Sequence, residues 1–194
     1  MRKHSWAPLA WCLASLVYAA LPVAAKAPAA TEKGTGPGTV TVGGVSYGYL
    51  SFATGNNATW TTADPLDHVY EATWYYRVAG DTREFAITGT PDDSNFAGDT
   101  INVRYDNVGA RGLLRAEFSD RLQAPSPSGG AAVRNVLTLT NISASNQTVT
   151  AFRYLDADVG GSSTGDSAVA IGGAGNHIRV SDGLSTLDVV GNNA

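Results

Sequence analysis

Between Val69 and Thr88 the chain alternates with a period of two, and this constrains its fold more than any other stretch. Tyr70, Ala72, Trp74, Tyr76 and Val78 share one face of an extended strand, and Glu71, Thr73, Tyr75 and Arg77 share the other. Gly80-Asp81 fits a two-residue type II′ turn, with glycine taking the positive φ at the first central position. Closing the hairpin there sets Arg77 opposite Glu84, Tyr76 opposite Phe85 and Trp74 opposite Ile87. The Trp74, Tyr76, Phe85 and Ile87 face is expected in a core. Arg77 and Glu84 are expected to form a cross-strand ion pair on the wet face, worth roughly 0.2–1 kcal/mol.

The same grammar continues along the chain. Thr39 to Ala53 is dense in Val, Thr, Tyr and Phe, with Gly43-Gly44 inside. It reads as one bulged strand or as two short strands joined at the glycines. Ile101–Tyr105 and Leu113–Leu122 read as strands. Val133–Asn141 and Thr148–Asp158 read as a hairpin around residues 143–146. Ala168–Ile171, His177–Ser181 and Thr186–Val190 close the series. Residues 91–99, 124–130 and 159–166 are loops by composition. No helical period appears after residue 25. About ten short strands with frequent turn signals predict an all-β fold, an antiparallel β-sandwich, with a β-barrel as the alternative.

The first 25 residues read differently. Met1-Arg2-Lys3-His4 is basic, Trp6 to Ala20 is almost wholly apolar, and Leu21-Pro22-Val23-Ala24-Ala25 ends in small residues. That order is a secretory signal peptide, with Val23 and Ala25 at the −3 and −1 positions of a cleavage site. Cys12 follows bulky Trp11 where a lipidation site needs a small residue, so a lipid anchor is not expected. Residues 26–38, rich in Ala, Pro, Gly, Thr and Lys, read as a flexible linker. Residues 39–194 read as one β-sandwich domain, truncated at its C-terminus if the chain is a fragment.

Removing the leader changes the chemistry of what is left. The only Cys and the only Met go with it. The exported chain would then have no disulfide and no thiol chemistry. Loss of Arg2 and Lys3 from the 13 cations leaves 11 against 17 carboxylates, a net charge of −6 instead of −4. Lys26 and Lys33 are then the last lysines, and the remaining arginines are scattered, so nucleic acid is not an expected partner. Nor is a membrane, once the leader is gone. The expected location is the periplasm, the cell surface or the medium.

Candidate sites are few. Asp156-Ala-Asp158-Val-Gly160-Gly161 resembles the start of a calcium loop, because alternate carboxylates on a glycine turn can converge on a hard cation. Gly160 and Ser167 then stand where further ligands belong, leaving Asp156, Asp158 and Asp166 as candidate ligands. Asp92, Asp93 and Asp99, with Asn95, form a second candidate set. Tyr47, Tyr49, Trp60 and Tyr75 could stack on sugar rings if exposed, and Tyr75 is expected on the wet face. Glu71 and Glu84 lie on the outer face of the hairpin, and Glu117 has no visible partner, so no glycosidase pair is expected. His68 and His177 come without a Gly-x-Ser-x-Gly elbow, so no hydrolase triad is read either.

The stretch from Trp74 to Phe85 resembles a segment of uncharacterised bacterial exported β-rich proteins of the PEP-CTERM, exosortase-associated kind. Val136 to Asn141 and Tyr154 to Asp158 are similar to the second half of the same proteins. The resemblance covers most of residues 66 to 160. The Val-Pro-Glu-Pro element, apolar helix and Arg cluster of the sorting tail are not in this sequence. The resemblance implies export and a surface or biofilm-matrix setting, and carries over no catalytic residues.

These readings point to a non-enzymatic exported β-sandwich with a structural or cell-surface and matrix role. A carbohydrate-binding module using the aromatics, with a polysaccharide partner, is the first alternative. The non-catalytic part of a secreted hydrolase is the second. No cofactor beyond calcium is suggested, and oligomeric state is not readable.

Overall fold

The computed structural model of the chain describes residues 12–13, 19–21, 34–53, 56–61, 66–108, 112–123, 130–162, 164–171 and 176–191. The cleavage region Val23–Ala25, linker residues 26–33 and loop residues 124–129 lie outside the described residues. Among those described, every regular element is a strand except one 3-10 turn at Val159–Gly161. The strands are β1 (Cys12–Leu13), β2 (Ala19–Leu21), β3 (Gly38–Val42), β4 (Val45–Ser51), β5 (Asn57–Thr61), β6 (Val69–Val78), β7 (Phe85–Ala86), β8 (Asp93–Ala97), β9 (Thr100–Val108), β10 (Leu114–Gln123), β11 (Ala132–Asn141), β12 (Gln147–Ala157), β13 (Ser167–Ala170), β14 (His177–Ser181) and β15 (Thr186–Val190).

They form three antiparallel sheets, none closed into a barrel. The first runs β12-β6-β5-β4-β3, with β1 and β2 along the outer edge of β12 and β7 beside β6. The second runs β11-β10-β9-β8 and the third β13-β14-β15. The first two face each other across the core, so the protein is an all-β sandwich. Period-two alternation sets what meets there. From the first sheet come Val45, Tyr47, Tyr49, Ala72, Tyr76, Val78 and Val149, and from the second Ile101, Val103, Leu114, Ala116, Phe118 and Leu122. Tyr49 and Phe118 touch across the gap with ring centroids 6.1 Å apart.

One side of the sandwich is stitched by the end of the expected linker. Gly34 pairs with Ser94 of β8, whose Oγ donates to the carbonyls of Gly34 and Gly36 at 3.1 and 2.8 Å. The chain then crosses into the first sheet as β3. Gly43 and Gly44, at φ 58° and 84°, turn it back into β4. That conformation requires glycine and settles the region as two strands.

The hairpin of residues 69–88 keeps its expected register, with Tyr76 opposite Phe85. Its turn does not. Asp81 N–H donates to Val78 O at 2.9 Å, and Asp81 Oδ2 accepts Val78 N–H at 3.0 Å. The tight turn therefore spans 78–81, with Gly80 at φ 91°. Only Phe85 and Ala86 remain as the returning strand. Arg77 lies over the Phe152 ring, 5.9 Å from its centroid, instead of facing Glu84 in an ion pair.

Two further expectations are corrected, and one strand is added. Residues 93–97 of the expected loop are strand β8, because pairing with β9 and the bridge to Gly34 use their backbone groups. Asn57–Thr61, assigned to no element from the sequence, is strand β5, paired to β4. Residues 133–158 are not a hairpin, since β11 belongs to the second sheet and β12 to the first. The connection arches between the sheets. Buried Asn141 pins it, donating to Ser145 O at 2.8 Å and accepting from Ser143 N and Oγ at 3.0 and 2.7 Å.

Candidate functional site

The inner row of β10 runs Leu114, Ala116, Phe118, Asp120, Leu122, so strand alternation drives a carboxylate into the core. Asp120 is 0 % exposed. Tyr49 donates to its Oδ2 at 2.5 Å and Tyr47 to the same atom at 3.3 Å. Asn135, opposite Asp120 on β11, donates its side-chain N–H to Tyr47 Oη at 3.4 Å. From the facing sheet comes Arg153 of β12, half-buried. Its guanidinium donates to Ala72 O at 3.1 Å and lies 4.9 Å from the Trp74 ring centroid. Asp120 Oδ1 has no hydrogen-bond partner among the described residues.

The electrostatics follow from that enclosure. Burial, reinforced by the Asp120 charge, raises the Tyr47 and Tyr49 hydroxyls far above ordinary phenols. Both stay protonated and act as donors. Burial works against the Arg153 charge, but Tyr49, Tyr47 and Asp120 more than offset it, and Arg153 holds its proton more tightly than a free arginine. The arrangement can hold a carboxylate and a guanidinium apart in a low-dielectric gap through two hydroxyls. It has no open side for a substrate at Asp120.

This placement corrects most of the sugar-binding set. Tyr47 and Tyr49, 3 % and 1 % exposed, face the second sheet because odd-numbered residues of β4 point inward. Trp60 pairs with Tyr47 across β4 and β5, so it shares that inward face and packs edge-on against Tyr47 at 6.3 Å. Only Tyr75 lies on the outer face as expected. It stands opposite Phe152, with Tyr154 edge-on at 6.4 Å.

The calcium candidates fall into two groups. Asp156, Asp158 and Asp166 share a corner around the Val159–Gly161 turn with His68, Asp67 and Asp182. Backbone N–H groups occupy several of their oxygens. Val159 donates to Asp166 at 3.1 Å, Trp60 to Asp67 at 2.8 Å, and Ser185 and Leu184 to Asp182 at 2.7 and 2.8 Å. Gly160 N–H donates to His68 Nδ1 at 3.1 Å. Asp158 is raised by burial and then by Asp156, Asp166 and Asp67, and Asp166 by burial and Asp182. Among the described residues no three such side chains converge as a metal site would require. The second set is dispersed. Asp92 accepts Asp106 N–H at 2.7 Å, Asp93 lies 3.7 Å from Arg104, and Asp99 accepts from Arg121 at 2.8 Å.

Sequence reasoning passed over Asp120 and Arg153, although each interrupts an apolar period-two row. His177 sits on β14 beside Asp188, which Arg179 grips with two bonds of 2.7 and 2.8 Å. No protein-family model, curated protein or solved structure matches the chain.

Proposed function

We propose that this chain is an exported, non-enzymatic β-sandwich whose role is structural, at the cell surface or in an extracellular matrix. One observation carries the reading. A deeply buried constellation of ionisable groups, Asp120 with Tyr47, Tyr49 and Arg153, joins the two sheets, and its carboxylate is wholly enclosed. Its groups serve the fold. The leader-like first 25 residues and the resemblance of residues 66–160 to exported proteins favour a location outside the cytoplasm.

The test is fractionation of cells carrying the gene, with N-terminal sequencing of the recovered chain. A chain beginning at Lys26 or Pro28 in the periplasmic, surface or medium fraction is expected. An intact Met1 terminus in the cytosol would sink the proposal.

A second reading keeps a polysaccharide partner, favoured by the outward Tyr75 beside Phe152 and Tyr154. A glycan array on the whole chain and on Tyr75→Ala tests it. Binding that Tyr75→Ala abolishes supports it, and binding to no glycan removes it.

A further inference from the structure

A sheet edge carries a row of N–H and C=O groups ready to pair with another strand. Three of the four edges of the two main sheets are short, occupied or otherwise protected. β12 carries β1 and β2 along its outer side until the leader is cleaved, and the strand itself holds the charges of Arg153 and Asp156 and a register shift at Asp156/Ala157. Ser94 of β8 pairs with Gly34, and β3 is five residues long. The fourth, β11, runs ten residues, and among the described residues nothing pairs with its outer side.

Among the described residues that edge has little of the usual protection. Its register against β10 is regular at all ten positions, with no bulge to twist it away. The strand Ala132-Val-Arg-Asn-Val-Leu-Thr-Leu-Thr-Asn141 has no Pro and no Gly, and its only charge is Arg134. Just beyond its end, Ile142 N–H donates to Leu113 O at 3.0 Å, which fixes the phase. Even-numbered residues of β11 turn their backbone groups toward β10. The odd-numbered Val133, Asn135, Leu137 and Leu139 turn theirs outward.

We propose that β11 pairs antiparallel with β11 of a second copy, about a two-fold axis at Val136, making the protein a homodimer. An antiparallel strand is complementary to itself under a two-fold, so one edge satisfies both copies. With the axis normal to the sheet, both cores stay on the same side and partners share parity. Val133 then meets Leu139 of the second copy, and Asn135 meets Leu137, all with their backbone groups aimed across the junction. On the outer face Arg134 meets Thr138, so the two Arg134 side chains stay apart. Val136, 39 % exposed in the single chain, is covered by its own counterpart.

Analytical ultracentrifugation of the whole chain, across a wide concentration range, is the first measurement, and a reversible dimer is expected. Thr138→Lys places two like-charge contacts against Arg134 and is expected to weaken the dimer about tenfold. Thr138→Glu replaces them with attraction and is expected to tighten it by a similar factor. Thr138 is exposed, so neither change disturbs the core. The second measurement uses the sulfur economy of the chain. Val136→Cys, made with Cys12→Ala, gives a single thiol. Paired residues without shared hydrogen bonds lie about 4.5 Å apart at Cα, within disulfide reach. A disulfide-linked dimer on a non-reducing gel is expected. A chain that stays monomeric throughout overturns the proposal. So does a dimer that ignores both Thr138 substitutions and forms no Val136→Cys cross-link.

Discussion

Tyr49 on one sheet donates its hydroxyl proton to Asp120 on the other, at 2.5 Å, through the middle of the core. Both residues are fully enclosed, so the bond holds a carboxylate that water does not reach. Hydrogen bonds to charged groups contribute more than neutral ones because the unpaired charge is costly to bury. Tyr49→Phe is therefore expected to cost about 1.5–3 kcal/mol in urea unfolding. Tyr47→Phe, which removes a longer bond of 3.3 Å to the same oxygen, is expected to cost less. Equal losses would mean that the two hydroxyls share the carboxylate evenly.

The partner across the gap gives a second test. Asp120→Leu leaves the two hydroxyls without their acceptor and Arg153 without its compensating charge. Breaking such a set from one side is expected to cost about 3–5 kcal/mol. Adding Arg153→Met removes the uncompensated charge, and is expected to recover about 1 kcal/mol or more of that loss. Simple additivity in the double-mutant cycle would show that Asp120 and Arg153 do not sense each other.

How much of this was legible depended on whether the signal was local. The 69–88 register was readable because alternation and a nearby turn agree, and Tyr76 does face Phe85. The turn type was not, because Ala79 N–H is drawn away to Thr148 O of β12, at 2.9 Å. Arg77 likewise chose the Phe152 ring, on a strand 75 residues away, over its near neighbour Glu84. The supposed hairpin at 143–146 failed for the same kind of reason. A polar turn between two strands marks a reversal, but only the long-range pairing of β12 with β6 decides which sheet the chain returns to. Burial of Tyr47 and Tyr49 was open to inspection, since they alternate with Val45 on one face. Asp120 in the row of Leu114, Ala116, Phe118 and Leu122 was the missed signal for the polar core.

Alkaline titration should separate enclosed tyrosines from exposed ones. Burial, then neighbouring carboxylates, holds Tyr47, Tyr49 and Tyr105 far above an ordinary phenol. The folded state thus keeps protons that the unfolded chain releases near pH 10. Stability from these groups is present below that pH and is lost as pH rises above it. Absorbance of ionised tyrosine is expected to show at least Tyr47, Tyr49 and Tyr105 silent until the chain unfolds. Smooth ionisation of all eight tyrosines in a still-folded chain would contradict the enclosure.

At Gly48 the prediction is steric. A methyl group there would overlap the Gly38 carbonyl and the Thr39 Cα of β3, which are backbone and cannot swing aside. Gly48→Ala is therefore expected to destabilise by about 1–3 kcal/mol or more. Gly36→Ala, where nothing lies within reach of the added carbon, is the matched control and is expected to be near neutral. Comparable denaturation midpoints for the two would mean that β3 and β4 can separate without loss.

Two carboxylates near the C-terminal sheet should respond to acid with opposite signs. Asp188 is held down to about 2, first by its hydrogen bonds to Arg179, so its contribution is present above the usual carboxylate range and fades as pH falls toward 2. Asp158 is raised, by burial and then by Asp156, Asp166 and Asp67, so the folded chain binds its proton more tightly than the unfolded chain does. Its contribution is favourable at low pH and is lost as pH climbs through and above the ordinary carboxylate value. Asp158 makes no side-chain capping hydrogen bond to the turn that follows it, so an amide there loses no cap. Asp158→Asn is expected to raise the melting temperature at pH 7 and to leave it unchanged well below pH 4. Asp188→Asn is expected to lower it at pH 7 and to converge with the parent near pH 2. Thermal melts of the three chains at the two ends of that range decide both signs. A lower midpoint for Asp158→Asn at neutral pH would show that the corner gains from its negative charge.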